Sequence, residues 1–489
     1  MSHAIHSARA ARPTPPSRSR TRDLLVATCF IGFGLLVGAS YLEAAEDGDS
    51  TTDVDPAVDS AAVEAAWKQG YDLQRAKQTD AAIVAYEAAL ALDPNHSKSL
   101  YEVGWSYWVL GRWSDVVRVW ERVLELEPEH EEVPRYIDEA RTKQALRARL
   151  EQGDATSGSP ESVPRQEGTA VRFALGGDTM MGSPLSAAGL PANDGADLFA
   201  AYSDTMKAAD IAFLNLEGVL LDSGRSYKCP EDSEKGCYAF RMPVRYVKNL
   251  TGAGIDVVSF ANNHANDYQA AGRKSTTDAL DGAGIQVAGP LDRQAILDVN
   301  GVKVGVVGFA TSPLGGDLRD IPVARAMVAD MASKVDLVVV SFHGGAEGKK
   351  AQHVPEGRET FMGENRGDLR AFTHAMVDAG ADLLVGHGPH VLRGMEIYKE
   401  RLIAYSLGNF ITYGGFNLSG ANGLTALLEV DLHPDGRLAG ATIHSGRQIS
   451  PGGPRLDSEH EAAAMVRTLS LADFPETAPT ITDDGRITP

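Results

Sequence analysis

Two periodicities of apolar residues divide this chain into regions. From residue 61 to about 131 apolar positions follow helical spacing, and the pattern itself recurs every 34 residues, with Gly70 repeated as Gly104 and Tyr86 repeated as Trp120. A period of this length predicts stacked helix–turn–helix units. A further helix near 133–150 is expected to cap them, because two repeats alone bury little apolar surface. The pattern therefore predicts a helical repeat domain over residues 61–150.

The repeated units resemble tetratricopeptide repeats. A small residue comes early, an aromatic residue comes late, and the closing proline appears as Pro94 and again as Pro128. The resemblance implies a platform that docks another protein. A spacer that holds the next domain away from a membrane is an equally good interpretation, since repeat stacks of this size serve both roles.

After residue 168, short β-rich apolar runs alternate with helical patterns. The runs are AVRFAL, IAFLNL, IDVVSFA, VKVGVVGFA, VDLVVVSF, ADLLV, LIAYSL and TALLEVDL. Runs that are apolar throughout and separated by helices predict an α/β layered domain, which we assign to residues 169–450. Residues 151–168 are rich in Gly, Ser and Pro and predict a flexible linker, whereas the Pro- and Asp-rich residues 451–489 predict a surface tail.

The first sixty residues predict a membrane anchor. Residues 24–42 are nineteen positions without a charge, which is enough to cross a bilayer as one helix. Arginines precede this span and an acidic linker, 43–60, follows it, so residues 1–23 are expected in the cytoplasm and the bulk of the chain outside. A cleavable signal peptide is the alternative. We therefore expect a single-pass protein of the cell membrane whose main part is extracytoplasmic.

Charge and cysteine content narrow the partners and the compartment. A formal net charge of -20 argues against nucleic acid and against an anionic membrane surface as partners, because both would repel the chain. Cys229 and Cys237 flank a polar stretch, and in an oxidising compartment we expect them to form a local disulfide, with two free thiols as the alternative. Cys29 lies within the apolar span and is expected to be inert.

Polar side chains with metal-binding chemistry follow five of the apolar runs. In chain order they are Asp178, Glu217, the group Asn263, His264 and Asp267, the pair His343 and Glu347, and the pair His387 and His390. Each alone is ordinary, since a strand-end Asp usually caps a helix and a lone buried His usually belongs to the core. Together they are expected to converge, because ligands bind where the carboxyl ends of strands meet in an α/β sheet. Oxygen and imidazole donors without cysteine predict one or two divalent ions, Mn, Fe, Zn or Mg.

The motifs GGD, NLEG, ANNHAND, HGGAE, GHGPHV and YSLGNF, in this order, resemble the CapA-type capsule synthesis family linked to poly-γ-glutamate production. That family is similar to the calcineurin-like metallophosphoesterases. The resemblance covers roughly residues 170–432. It implies a metallophosphoesterase-like α/β domain, here preceded by an all-α repeat domain and one transmembrane helix.

The resemblance also implies a role for each matching residue. The expected metal ligands are Asp178, Glu217, Asn263, His343, His387 and His390. His264 would be the general acid, and Asp267 or Glu347 would orient neighbouring imidazoles. The chain departs from the phosphoesterase pattern at Met180, where a His is expected, and at Glu217, where an Asp is expected. The first metal position is therefore expected to lack one ligand.

Three functions remain open from the sequence. The first is a membrane-anchored, extracytoplasmic component of capsule or poly-γ-glutamate synthesis or export. The second is a metal-dependent phosphoesterase or related hydrolase, and the third is a non-catalytic scaffold. The expected ligand is an anionic polymer or a phosphoester, and because the chain is acidic, its recognition requires local positive charge from the metal, Arg241, Arg245 or Arg393.

Overall fold

The structure is a computed structural model that describes residues 59–76, 78–151, 169–186, 188–226, 229, 238–289, 293–311 and 316–488. The predicted membrane span 24–42 and residues 152–168 of the predicted linker lie outside these residues. Within the described ranges, no helix is both long enough and apolar enough to span a bilayer.

The helical region begins at residue 60. It consists of α1 (Ser60–Arg75), α2 (Thr79–Leu92), α3 (Ser97–Val109), α4 (Trp113–Leu126) and α5 (Val133–Glu151). A Cβ atom on Gly70 would lie 2.6 Å from the ring of Tyr86, and one on Gly104 would lie 2.1 Å from Nε1 of Trp120. The same close contact between a glycine and an aromatic ring thus recurs after 34 residues. The sequence period is a structural period of helical hairpins, and α5 adds Val133, Ile137 and Ala140 to their buried core.

The second region is rich in sheet. Its helices are α6 (Ser203–Ala208), α7 (Val247–Ala253), α8 (Gln269–Gly282), α9 (Ile321–Ala332), α10 (Leu369–Asp378) and α11 (Glu461–Asp473). Its strands are β1 (Val171–Met180), β2 (Ile211–Leu216), β3 (Val219–Leu220), β4 (Arg241–Met242), β5 (Val257–Ser259), β6 (Gln286–Ala288), β7 (Gln294–Val299), β8 (Val302–Ala310), β9 (Gly316–Asp317), β10 (Leu337–His343), β11 (Glu359–Phe361), β12 (Glu364–Gly367), β13 (Leu383–His387), β14 (Met395–Tyr398), β15 (Arg401–Ala404), β16 (Asn409–Thr412), β17 (Leu424–Leu432), β18 (Leu438–Gln448), β19 (Pro454–Leu456), β20 (Thr480–Ile481) and β21 (Arg486–Thr488).

Most of these strands form two sheets that pack against each other. The larger has the order β20-β21-β18-β17-β1-β2-β5-β6, and the smaller has the order β14-β15-β13-β10-β8-β7. One apolar core lies between the sheets and includes Phe173 of β1 and Val339 of β10. The opposite faces are covered by helices, with Leu214 of β2 in one outer core and Val340 of β10 in the other. Because strands such as β10 are buried on both faces, they read as continuous apolar runs in the sequence.

The structure confirms the predicted mixed α/β domain after a helical region, but the placement of the strands differs from the prediction. The polar strand ends were expected along one open sheet, but β1, β2 and β5 belong to the larger sheet and β10 and β13 to the smaller. The larger sheet is also mixed, since β17 runs antiparallel to β1 while β2 runs parallel to it. Apolar runs alone do not indicate which of two stacked sheets a strand joins.

The predicted surface tail over 451–489 is wrong for the described part of that segment. Residues 454–488 form β19, α11, β20 and β21, and Ala462, Val466 and Ile487 are buried in the core between the sheets. The high Pro and Asp content hid a short amphipathic helix and a terminal pair of strands. This segment is part of the sheet domain.

Strand β1 changes one of its neighbours at Gly176–Gly177. Before this point it pairs with antiparallel β17, and from Asp178 onward it pairs with parallel β16. A Cβ atom on Gly177 would lie 2.2 Å from the carbonyl oxygen of Gly408, so only glycine allows the two backbones this close. The amide of Asp178 then donates to the same Gly408 oxygen at 2.9 Å.

Substitution of Gly177 by Ala is expected to lower the free energy of unfolding by about 1–3 kcal/mol, because the added methyl overpacks this contact. The measurement is urea denaturation of the full chain. The matched control is Gly252→Ala, at an exposed position of α7 where a Cβ atom meets nothing within 4 Å. The control should be neutral or stabilising by roughly 0.5–1 kcal/mol. Equal stability of Gly177→Ala and the parent protein would contradict the close approach.

Candidate metal centre

The carboxylate of Asp178 is the centre of a buried polar cluster between the two sheets. Its side chain is fully buried and accepts hydrogen bonds from Asn215 Nδ2 at 2.8 Å and from the backbone amide of Gly388 at 3.3 Å. His390 Nδ1 lies 3.1 Å from Asp178 Oδ2. An ionised carboxylate without water needs such donors, and here they come from both sheets.

The smaller sheet supplies the histidines in register. His343 and His387 end β10 and β13 and are directly paired in the parallel ladder. His387 Nδ1 lies 3.7 Å and His343 Nδ1 lies 4.0 Å from Asp178 Oδ1. His390 follows in the loop after β13, at a backbone φ of 56°, which turns its ring back toward Asp178.

Glu217 lies on the other side of the cluster, directly after β2, and is also fully buried. Its Oε1 lies 3.6 Å from Nε2 of His390 and 3.9 Å from Nε2 of both His343 and His264. Asp178, Glu217 and His390 each offer a ligand atom within 4.8 Å of the other two. Five of the six predicted ligands are thus brought to one place, namely Asp178, Glu217, His343, His387 and His390.

Several buried nitrogen and oxygen atoms of the predicted metal ligands lack a hydrogen-bond partner among the described residues. Within the part of the chain that the structure describes, neither ring nitrogen of His387 has one, nor does Nε2 of His343 or Oδ1 of Asn263. Leaving a buried polar atom unsatisfied costs about 1–3 kcal/mol, so two histidines with such atoms beside one carboxylate require an explanation. Imidazole nitrogen and amide oxygen are metal ligands, so a divalent ion would satisfy them.

The protonation states of the three histidines differ. Burial lowers the pKa of His387 to about 4 and lowers that of His343 well below its usual value, so both rings are neutral ligands at neutral pH. Burial also disfavours the charged form of His390, but Glu217 and Asp178 outweigh it and raise its pKa to about 10. Burial raises the pKa of Asp178, yet the hydrogen bond from His390 and the nearby histidines hold it below its usual range. Without a metal, the protonated His390 neutralises part of the acidic charge.

A set of amides that the ligand prediction left out positions the ligands. Asn215 links Asp178 to Asn262, whose Nδ2 donates to Asn215 Oδ1 at 3.1 Å. Asn409 Oδ1 lies 3.1 Å from His390 Nδ1, and its Nδ2 donates to the His390 carbonyl at 3.3 Å. Asn409 stands in the quoted motif YSLGNF, directly after Gly408, so the motif itself was the available signal.

His264 and Asp267 form a pair beside the cluster. His264 Nδ1 lies 2.7 Å from Asp267 Oδ2, and the same carboxylate oxygen accepts the backbone amide of Phe240 at 2.7 Å. This arrangement directs Nε2 of His264 toward Glu217. The ring of Phe240 packs 4.2 Å from that of His264 and excludes water from one side. The geometry therefore agrees with Asp267 as the residue that orients His264.

Glu347 and Arg393 lie differently from the sequence expectation. Glu347 adds a small part to the raised pKa of His390, and its carboxylate lies 2.9 Å from Nη2 of Arg366. Arg393 is fully buried and forms a bidentate pair with Glu359, at 2.9 and 2.7 Å, so it is not available to an anionic polymer. Arg245 pairs with Asp194 at the surface, while Arg241 donates to the Gly224 carbonyl.

Cys229 is disulfide-bonded. Its expected partner, Cys237, lies outside the described residues. The alternative of two free thiols is therefore wrong for Cys229.

The sheet domain is similar to bacterial proteins of capsule synthesis. Residues 172–413 match the family described as "Bacterial capsule synthesis protein PGA_cap". The capsule biosynthesis protein CapA of Bacillus anthracis is 32% identical over 271 residues, which cover 51% of this chain and 61% of that protein. The PGA biosynthesis protein CapA of Bacillus subtilis strain 168 is 31% identical over 253 residues, covering 48% of this chain and 61% of that protein. Over the matched residues, the sheet domain therefore resembles the CapA-type capsule synthesis family.

The likeness extends to other bacteria but does not span whole proteins. A probable polyglutamine synthesis accessory protein of Mycobacterium tuberculosis is 30% identical over 232 residues, which cover 42% of this chain and 56% of that protein. The chain thus spans about three fifths of the length of these curated relatives. Among solved structures, the MamA protein matches at 22% identity over 19% of this chain, and its TM-score of 0.17 supports no argument about fold.

Substitution of Asn409 by Ala is expected to weaken divalent metal affinity by roughly 10–100-fold, because residues that hold a metal-binding imidazole have effects of this size. The measurement is equilibrium dialysis of the full chain against Mn²⁺ with metal analysis. The control is Asn417→Ala, which removes an exposed amide that only accepts from Ser419. Unchanged affinity in Asn409→Ala would show that His390 does not depend on this contact.

Proposed function

We propose that this chain acts in the synthesis or export of a capsule polymer of the poly-γ-glutamate type and uses a divalent metal site to do so. The observation that carries the proposal is the buried cluster itself, in which the ring nitrogens of His387 lie beside the ionised Asp178 and have no hydrogen-bond partner among the described residues. Unsatisfied imidazole nitrogens destabilise an ordinary core, whereas a bound divalent ion would satisfy them. The similarity to capsule synthesis proteins supports the biological setting.

The residues that would hold the metal are those that the sequence singled out. Asp178, Glu217 and His390 are the closest set, and His343, His387 and Asn263 contribute the donor atoms without a partner. Because Met180, buried in an apolar core, stands where the resemblance places a further imidazole ligand, we expect one strong and one weaker metal position. A bound ion of this kind activates water or polarises a phosphoryl or carbonyl oxygen.

The protein's own contribution to chemistry would come from His264. Asp267 holds the Nδ1 side of the ring, so Nε2 is the nitrogen that faces the cluster. From that position Nε2 would donate a proton to a leaving oxygen, and Phe240 would keep the ring shielded from bulk water. Asp267 stabilises the protonated ring before the transfer.

The remaining parts of the proposal concern location and partners. We infer that residues 24–42 anchor the protein in the cell membrane, that the metal domain is extracytoplasmic, and that the helical repeats bind a protein partner. The disulfide at Cys229 supports an oxidising compartment. We also propose that the two packed sheets with outer helices represent the calcineurin-like metallophosphoesterase layering.

The decisive experiment is the metal content of the purified full chain. The parent protein should bind Mn²⁺, Zn²⁺ or Fe²⁺ at close to one ion or more per chain, and His387→Gln should lose most of it, since its ring has no other partner to satisfy. The control is His444→Gln, whose ring lies half-exposed near Glu429, away from the cluster. If the parent protein binds none of these three ions, both metal-based functions are ruled out and the scaffold function is the one that stays.

A second candidate function, a metal-dependent phosphoesterase or related hydrolase, is favoured by the His264–Asp267 pair next to the metal cluster. With Mn²⁺ and an aryl phosphate ester, His264→Ala should reduce kcat by about 10²–10⁴-fold, the usual contribution of a general acid. Asp267→Asn should reduce kcat less, with little change in KM. Metal bound without any turnover would argue for polymer binding and against hydrolysis.

A further inference from the structure

Arg366 is a buried cation beside the metal cluster that no part of the proposed mechanism uses. It lies on β12, and only 2% of its surface is exposed. Its Nε donates to the carbonyl of Gly345 at 3.1 Å, and the Gly345 amide donates back to the Arg366 carbonyl at 2.9 Å. Gly345 is two residues beyond His343, so these bonds fix the guanidinium against the loop that carries a metal ligand.

Glu347 covers this guanidinium in a poorly formed contact. Its Oε1 lies 2.9 Å from Nη2 of Arg366, yet Nη2 makes no hydrogen bond of acceptable angle with any described residue. The other nearby carboxylate, Glu364, is 3.7 Å from Nη1 and mostly exposed. A guanidinium normally binds a carboxylate or phosphate through two parallel bonds, so Arg366 is only partly satisfied.

The position of Glu347 connects this pair to the metal centre. The amide of Gly348 donates to the carbonyl of Pro389 at 2.8 Å, which places the Glu347 loop against the residue preceding His390. The charge of Arg366 reaches His343, whose pKa it helps to lower, although burial is the main cause. The Glu347 side chain is 21% exposed, whereas that of Arg366 is covered, so Glu347 has access to solvent while it contacts the guanidinium.

We propose that Arg366 binds an anionic oxygen group of the substrate and that Glu347 occupies this position until the substrate arrives. The ligand group is a phosphate or a carboxylate adjacent to the group that reaches the metal. This inference rests on the proposed function, since it assigns a substrate-recognition residue to the same site. It names the local positive charge that an acidic chain needs for an anionic ligand.

Replacement of Glu347 by a substrate anion leaves the net charge around Arg366 nearly unchanged. One carboxylate leaves Arg366 and another anion replaces it, so the guanidinium is never left buried and unpaired. The incoming group can form the two parallel bonds that Glu347 does not form. The displaced Glu347 side chain moves into solvent. The next residue in its loop, Gly348, has a φ of 87°, and a Cβ atom there would meet nothing within 4 Å, so the loop has room to adjust.

The test is a double-mutant cycle on the full chain, with inorganic phosphate and γ-glutamylglutamate as probes and calorimetry as the readout. Both probes are titrated into the EDTA-treated protein and into the Mn²⁺-loaded protein. Glu347→Gln should tighten binding of one or both probes by about tenfold, because the competing carboxylate is gone while a charge-assisted bond to Arg366 becomes available. Glu364→Gln, which removes an exposed carboxylate at 3.7 Å, is the matched control and should change affinity by less than about twofold.

The second arm of the cycle separates Arg366 from a general charge effect. In the Arg366→Met background, Glu347→Gln should no longer tighten binding. If Arg366→Met does not fold, Arg366→Lys keeps the charge, removes the fork and should retain only part of the gain. A gain of equal size with and without Arg366 would overturn the proposal, as would an unchanged affinity in Glu347→Gln.

The two probes distinguish the source of the anion, and the two metal states distinguish this inference from the proposed function. An Arg366-dependent gain for phosphate alone indicates a phosphoester, and a gain for the dipeptide alone indicates a γ-glutamyl polymer. Absence of bound metal would contradict the proposed function, while the phosphate titration of the EDTA-treated protein still decides the role of Arg366.

Discussion

A single ionised carboxylate, that of Asp178, lies at the junction of two sheets and determines how the surrounding residues are arranged. A bare charge in this position would cost several kcal/mol, so every element that reaches it brings a donor. Asn215 comes from β2, the Gly388 amide from the loop after β13, and the charged His390 from the same loop. The charge therefore joins the sheets at their polar end, as the apolar core joins them over the rest of their surface.

The packing of two sheets explains how a nitrogen-rich half and an oxygen-rich half of the site come together. The larger sheet contributes carboxylates and amides from β1, β2 and β5, while the smaller contributes His343 and His387 from paired strand ends. Neither sheet alone would hold a divalent ion. Neutral imidazoles, kept neutral by burial, then face acidic groups held in the ionised form, which is the combination that a borderline metal prefers.

The sequence predicted the residues at this junction better than the architecture around it. Strand-end motifs such as GGD and GHGPH report local chemistry, and local chemistry was sufficient to identify Asp178 and the histidines. Asn409 contacts His390 only because β16 pairs with the far half of β1, a long-range register that no apolar pattern encodes. The arginines show the same limit: Arg393 and Arg366 look alike in the sequence, but one is fully paired with Glu359 and the other is held by Gly345 and Glu347. The helix and strands after residue 453 were missed because composition outweighed a short amphipathic pattern.

The strands that pair with β1 come from distant parts of the chain, so the contacts around Asp178 depend on the order of folding. The hydrogen bond from Gly388 to Asp178 joins residues 210 positions apart, and the Gly408 carbonyl that fixes the Asp178 backbone lies farther still along the chain. Contacts of such long sequence separation form late, since the chain must close a large loop before they are gained. A nascent chain therefore contains Asp178 long before it contains the residues that hold this carboxylate. The polar cluster is completed only when β1, β13 and β16 have come together, so local misfolding anywhere between residues 178 and 409 leaves Asp178 without its donors.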